Sequence, residues 1–251
     1  MRHLAQLVGL LTVLCWINAA LAAEPSVVAD NEKQQYFLIG EPAENMPDEG
    51  WGVLLVLPGG DGSADFHPFV RNIGERFAPE GYLTIQLVAV AGDPNLTWPT
   101  RTSLERTEKQ AFTTEDHAAA VLADVEANLP DGVRLNPTKR LALGWSSGGV
   151  AVQALLSSAD LNLAGAFIAM SICSLADLKP SDMLDDKAIA WLQSPQDRMT
   201  PWMHVNRARE IATDAGAAWW QRGYAGGHGW KGDSLDKLRA GLLWLDEQIS
   251  G

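Results

Sequence analysis

The chain has 251 residues, 47% hydrophobic and 20% charged, with 13 prolines spread along its length; this is the balance of a globular protein and not of a disordered or fibrous one. Its length suits one α/β domain with a large core and is short for two. A net charge of −12 argues against nucleic acid or an anionic membrane as partner, because binding either requires a basic face that displaces counterions.

The N-terminus, MRHLAQLVGLLTVLCWINAALAAEP, combines a basic Arg2, an apolar run from Leu7 to Ile17 and the small-residue stretch Ala20-Leu21-Ala22. Residues 1–22 therefore read as a signal peptide, which predicts a secreted or periplasmic protein with no stable membrane association once it is cleaved. The alternative is a membrane anchor, for which the apolar run is short. Cleavage would remove Cys15 and leave Cys173 alone, so no intrachain disulfide is expected. Residues 23–33 are polar and read as a flexible leader; 34–251 read as the folded domain.

Short apolar runs then recur at 36–39, 52–58, 82–90, 140–145, 164–172, 188–194 and 217–223. Runs apolar on both faces are what a parallel sheet covered by helices requires. Helices are predicted between them at roughly 66–80, 113–129, 147–158, 201–215 and 234–249. That at 113–129 opens with a threonine cap and early acids, and sets Ala119, Leu122, Val125 and Leu129 along one stripe. The alternation predicts an α/β fold of three α/β/α layers around a doubly wound, mostly parallel sheet. Residues 91–112, rich in Pro, Thr and charge, interrupt it as a long excursion that either walls a site or merely connects elements.

Gly144-Trp145-Ser146-Ser147-Gly148 fits G-x-S-x-G between a predicted strand and a predicted helix. In that context the glycines permit a tight turn that pushes the central serine out of the sheet; the bland alternative is a small-residue corner. Ser146 has glycine at both offsets and is the candidate nucleophile. A serine hydroxyl needs a base, and His228, in the glycine-rich loop AGGHGW, is the candidate. His67, His117 and His204 fall at or in helices and read as packed or solvated side chains. Asp197, in SPQDRMTP past a predicted strand, is the candidate acid that orients the imidazole. Asp177, Asp182, Asp185 and Asp186 read as a solvated loop. For the oxyanion of an acyl-transfer intermediate, the Ser147 amide at the helix start is one donor. LPGGDG after the strand at 52–58 offers a second at Gly60, with Asp61 next.

With these motifs the chain resembles the α/β-hydrolase superfamily, and within it the small phospholipase/carboxylesterase and dienelactone-hydrolase-like esterases, over most of residues 35–250. The resemblance implies a catalytic triad of Ser146, Asp197 and His228, in that chain order, with Gly60 and Ser147 as oxyanion donors. Where many relatives read His-Gly, this chain has Pro58-Gly59, so the oxyanion loop must be supported differently here.

Of the ten tryptophans, Trp98, Trp145, Trp202 and Trp230 neighbour the candidate segments. They are expected either to form an apolar acyl subsite or to pack helices on the sheet. HEXXH is absent and Cys173 has no neighbouring His or Asp cluster, so neither metal nor cofactor is expected. The expected function is a serine esterase acting on a small-molecule or exposed ester. A serine peptidase on the same fold and a non-catalytic binding module are the alternatives.

Overall fold

A computed structural model describes residues 24–29, 31–90, 97–106, 112–178 and 182–250. The signal segment 1–22 and parts of the 91–112 excursion lie outside the described residues. Eight strands form one sheet: β1 (Ser26–Val28), β2 (Asn31–Ile39), β3 (Trp51–Leu57), β4 (Tyr82–Val88), β5 (Leu135–Trp145), β6 (Gly165–Ala169), β7 (Ala188–Gln193) and β8 (Ala218–Gly223). Their spatial order is β1-β2-β4-β3-β5-β6-β7-β8. β2 runs antiparallel to β1 and β4, and all pairings from β4 to β8 are parallel.

Every residue of β3, β4, β6 and β7 is buried, as expected of strands covered on both faces. The side chains alternate between two apolar layers. Val53, Leu55 and Leu57 of β3 face the layer filled by α2 (Thr114–Ala127), α3 (Ser147–Leu156) and α4 (Met203–Asp214). Leu54 and Val56 face the layer filled by α1 (His67–Arg76) and α5 (Ser234–Ile249). At the head of α2 the Thr113 hydroxyl accepts from the Asp116 amide while the Asp116 carboxylate accepts from the Thr113 amide, a reciprocal cap. The buried stripe of α2 is Ala118, Val121, Leu122 and Val125, one position off the stripe expected from sequence at its first turn; Leu129 lies past the helix end.

Within the segment expected to be a flexible leader, Ser26–Val28 is a strand paired to β2, and β2 itself begins at Asn31. Asn31 to Gln35 are all polar and only Gln34 among them is buried, so no apolar run marked them. The chain leaves β3 for β4 on one side and returns to β5 on the other. The carboxyl ends of β3 and β5 thus flank the crevice where such sheets bind ligands.

Candidate active site

Ser146 stands alone between the end of β5 and the start of α3, with φ 53° and ψ −121°. That is a conformation L-residues rarely adopt, and one that persists only where the surroundings enforce it. Its amide donates to the Ala169 carbonyl of β6 at 3.0 Å, and its carbonyl accepts from Val150 at 3.2 Å. The flanking glycines are steric necessities. A Cβ on Gly148 would lie 2.0 Å from the Leu57 carbonyl oxygen, and one on Gly144 would lie 2.4 Å from the Gly148 oxygen. The turn therefore presses the helix start against the end of β3 and leaves the Ser146 side chain directed out of the sheet.

Ser146 Oγ lies 3.0 Å from His228 Nε2, and His228 Nδ1 lies 2.8 Å from Asp197 Oδ2. The Asp197 side chain has no exposed surface, while that of His228 is 22% exposed. Oδ1 of Asp197 accepts from the amides of Met199 and Thr200 at 2.8 and 3.0 Å; Oδ2 accepts from the Thr200 hydroxyl at 2.5 Å and from Gln193 at 3.1 Å. Burial raises the Asp197 carboxyl, but the Thr200, His228 and Met199 donors together outweigh burial and hold it below its ordinary value. An ionised Asp197 can only accept, so the His228 proton sits on Nδ1 and Nε2 is left to accept from the Ser146 hydroxyl.

His228 is set by the backbone around it: Gly226, Gly227 and Gly229 have φ of 153°, 72° and 149°. The Gly227 amide donates to Ser194 Oγ at 3.0 Å, its carbonyl accepts from Tyr224 at 2.7 Å, and the Gly229 amide meets Met170 Sδ at 3.1 Å. Met170 is itself in a left-handed conformation, φ 48°, just past β6.

The loop after β3 turns between Gly59 and Gly62, whose amide donates to the Gly59 carbonyl at 3.1 Å, with Gly60 at φ 62°. The Gly60 carbonyl accepts from Ser147 Oγ at 3.0 Å and from Thr97 Oγ1 at 2.8 Å. The amides of Gly60 and Asp61 have no acceptor among the described residues. The Asp61 side chain is turned onto the loop's own backbone, accepting from the Ser63 amide at 3.1 Å. Ser147, as the first residue of α3, has an amide with no intrahelical acceptor.

The four tryptophans separate. Trp145 and Trp230 pack edge-on with centroids 5.7 Å apart and join Phe66 and Phe69, which lie 5.8 and 5.6 Å from Trp145. This aromatic group draws on the segment from the turn after β3 into α1, the serine turn and the histidine loop together. The two phenylalanines carry no motif, and only their spacing after LPGGDG could have marked them. Trp98 lies apart from this group: it is 5% exposed and its indole donates to the Pro58 carbonyl at 2.9 Å, behind the loop. Trp202 lies away from this group, over Gly223 at the end of β8. Asp177, expected to be solvated, is buried and accepts from Thr100 at 3.1 Å, from Ser174 at 2.5 Å and from Thr102, joining the two loops that follow β4 and β6. His67 stacks on Phe37 at 3.9 Å, and His117 packs against Phe112 at 5.4 Å.

An eight-stranded, mostly parallel sheet of this order, with helices on both faces and a serine on the turn after β5, is the α/β-hydrolase fold. Solved structures of esterases and hydrolases share it. The chain is similar to MGS-M1, an α/β hydrolase from a deep-sea metagenome library of the Medee basin, at 16% identity and TM-score 0.61, covering 91% of this chain and 98% of that one. It is similar to the propionate-bound thermophilic esterase Est2 of the planctomycete Thermogutta terrifontis, at 18% identity and TM-score 0.61, covering 92% and 95%. The Bacillus cereus carboxylesterase matches at 14% identity and TM-score 0.55, covering 85% and 93%. No family model matches the chain and no curated protein matches its sequence.

Proposed function

We propose that the protein is a serine hydrolase that cleaves carboxylic esters through an acyl-enzyme on Ser146. The observation that carries this reading is the hydrogen-bonded chain Ser146 Oγ to His228 Nε2 at 3.0 Å and His228 Nδ1 to Asp197 Oδ2 at 2.8 Å. Ser146 Oγ attacks the ester carbonyl while its proton passes to Nε2, and the carbonyl oxygen gains negative charge facing the amides of Ser147 and Gly60. Collapse expels the alcohol, which takes the proton from Nε2. Water then repeats both steps and releases the acid. Asp197 stays ionised throughout and balances the transient imidazolium.

The resemblance to esterases named above favours ester over other acyl substrates. The sequence has no insertion long enough for a lid domain, which favours short or solvent-exposed esters. The N-terminal segment supports secretion or export to a periplasm. The deciding experiment is a p-nitrophenyl ester panel on wild type and Ser146→Ala, with fluorophosphonate labelling of both. Ester hydrolysis and labelling confined to the wild type are expected; equal hydrolysis by both proteins sinks the proposal.

A further inference from the structure

We propose that the side chains of Ser147 and Thr97 position the oxyanion site, taking over the support that Pro58 cannot give. The inference rests on the reading of Ser146 as the nucleophile. Proline at 58 has no amide proton and no polar side chain, so nothing at that position can brace the loop from within. Bracing arrives from outside at two carbonyls, those of Pro58 and Gly60. Trp98 Nε1 donates to the Pro58 carbonyl at 2.9 Å. Two hydroxyls converge on the Gly60 carbonyl, Ser147 Oγ at 3.0 Å and Thr97 Oγ1 at 2.8 Å.

The geometry of the peptide unit says what this achieves. The planar unit joining Gly59 and Gly60 has its carbonyl tied to the Gly62 amide inside the turn, at 3.1 Å. The Gly60 N–H of the same plane points the opposite way, out of the turn. The next unit, Gly60 to Asp61, is clamped through its carbonyl by the two hydroxyls, so Gly60 can rotate on neither side. Left unclamped, a glycine at φ 62° would be the freest joint in the loop. Trp98 also closes the space behind it: a Cβ on Gly62 would lie 2.7 Å from the indole.

Ser147 therefore acts twice, its amide facing the oxyanion and its hydroxyl fixing the other donor. That hydroxyl spans 87 residues of sequence, linking the serine turn to the oxyanion loop so that the two donors move as one. Thr97 brings the excursion after β4 into the same arrangement. The assignment also separates the two candidate donors: clamping the Gly60 carbonyl toward Ser147 turns the Asp61 N–H away from it, leaving Gly60 as the second donor.

The test compares wild type with Ser147→Ala, Thr97→Val, the double variant and Ser147→Thr, which restores a hydroxyl. Each is titrated with a fluorophosphonate, assayed on p-nitrophenyl acetate and inhibited with an aryl trifluoromethyl ketone, whose adduct carries an oxyanion. Deleting an oxyanion donor costs about 10²–10³ in kcat, and loosening one should cost less, about tenfold for Ser147→Ala and more for the double variant. KM should be nearly unchanged, the ketone Ki should rise in parallel with the loss in kcat, and Ser147→Thr should recover most of both. A merely structural role would lower the titratable fraction and leave kcat per titrated site and ketone Ki unmoved, which would overturn the inference. Full titration with wild-type kcat and Ki in the double variant would overturn it too, while sparing the nucleophile. A wild type that no fluorophosphonate labels would overturn the reading of Ser146 itself, and this inference with it.

Discussion

The Gly229 amide points at the sulfur of Met170 across 3.1 Å, so the residue after His228 is held by a side chain from the end of β6. β6 also receives the Ser146 amide, at Ala169. The loop that carries His228 and the turn that carries Ser146 are thus referenced to two consecutive residues, Met170 and Ala169, at the end of β6. Met170→Leu keeps the buried volume and removes the acceptor. With a hydrogen bond of about 1 kcal/mol at stake, kcat should fall roughly fivefold. Steady-state kinetics on protein titrated with a fluorophosphonate will check it; an unchanged kcat would show that packing alone fixes the loop.

Asp197→Asn should leave the fold nearly intact while reducing kcat by about 10⁴, because an amide at this position can stabilise the wrong histidine tautomer and cannot balance an imidazolium. Five donors converge on this carboxylate, so its amide will also lose a bond or two. Circular dichroism and pre-steady-state kinetics together separate the effects. Wild-type turnover in this variant would remove Asp197 from the mechanism.

Gly148→Ala should be far more damaging than an ordinary overpacking change of about 1–3 kcal/mol. The added carbon meets backbone oxygen of β3 at 2.0 Å, and backbone in the centre of the sheet cannot yield. The expected result is little folded protein, read from urea unfolding and expression. A stable, folded variant would mean that the turn can open away from β3.

His117 is 2% exposed, its Nε2 has no hydrogen-bond partner among the described residues, and burial depresses its pKa from 6.5 to about 4. Between those values the unfolded chain binds a proton that the folded one refuses. Stability is therefore complete above about pH 6.5 and falls as pH drops toward 4, by about 2 kcal/mol at pH 5. Asp197, held below its usual range, adds its own loss only at still lower pH. Urea unfolding of wild type and His117→Phe at pH 7 and 5 isolates the effect: the variant should show the smaller pH dependence, and identical pH dependence would refute it.

The central strands were legible because burial on both faces writes itself as an unbroken apolar run, as in GVLLVL of β3. The sheet's margin was not. Ser26–Val28 is three residues with two of them exposed, and β2 opens on Asn-Glu-Lys-Gln, so edge pairing left no hydrophobic signature. β5 also begins earlier than expected, running from Leu135 through Pro137, a residue that reads as a turn. The candidate triad was legible because few histidines were available and glycine marks strained turns. The bracing of the loop after β3 was not, because Thr97, Trp98 and the Ser147 hydroxyl act on backbone carbonyls, and a carbonyl has no letter in the sequence. Asp177 was misplaced for a related reason: its partners are hydroxyls of Thr100, Thr102 and Ser174, which in sequence look like any polar loop.

The short β1 has one further role. It covers the outer side of β2, a nine-residue strand that would otherwise present its free amides and carbonyls to any neighbouring chain. Clipping Ser26–Val28 would leave that edge of β2 unpaired and open to pairing with a foreign strand.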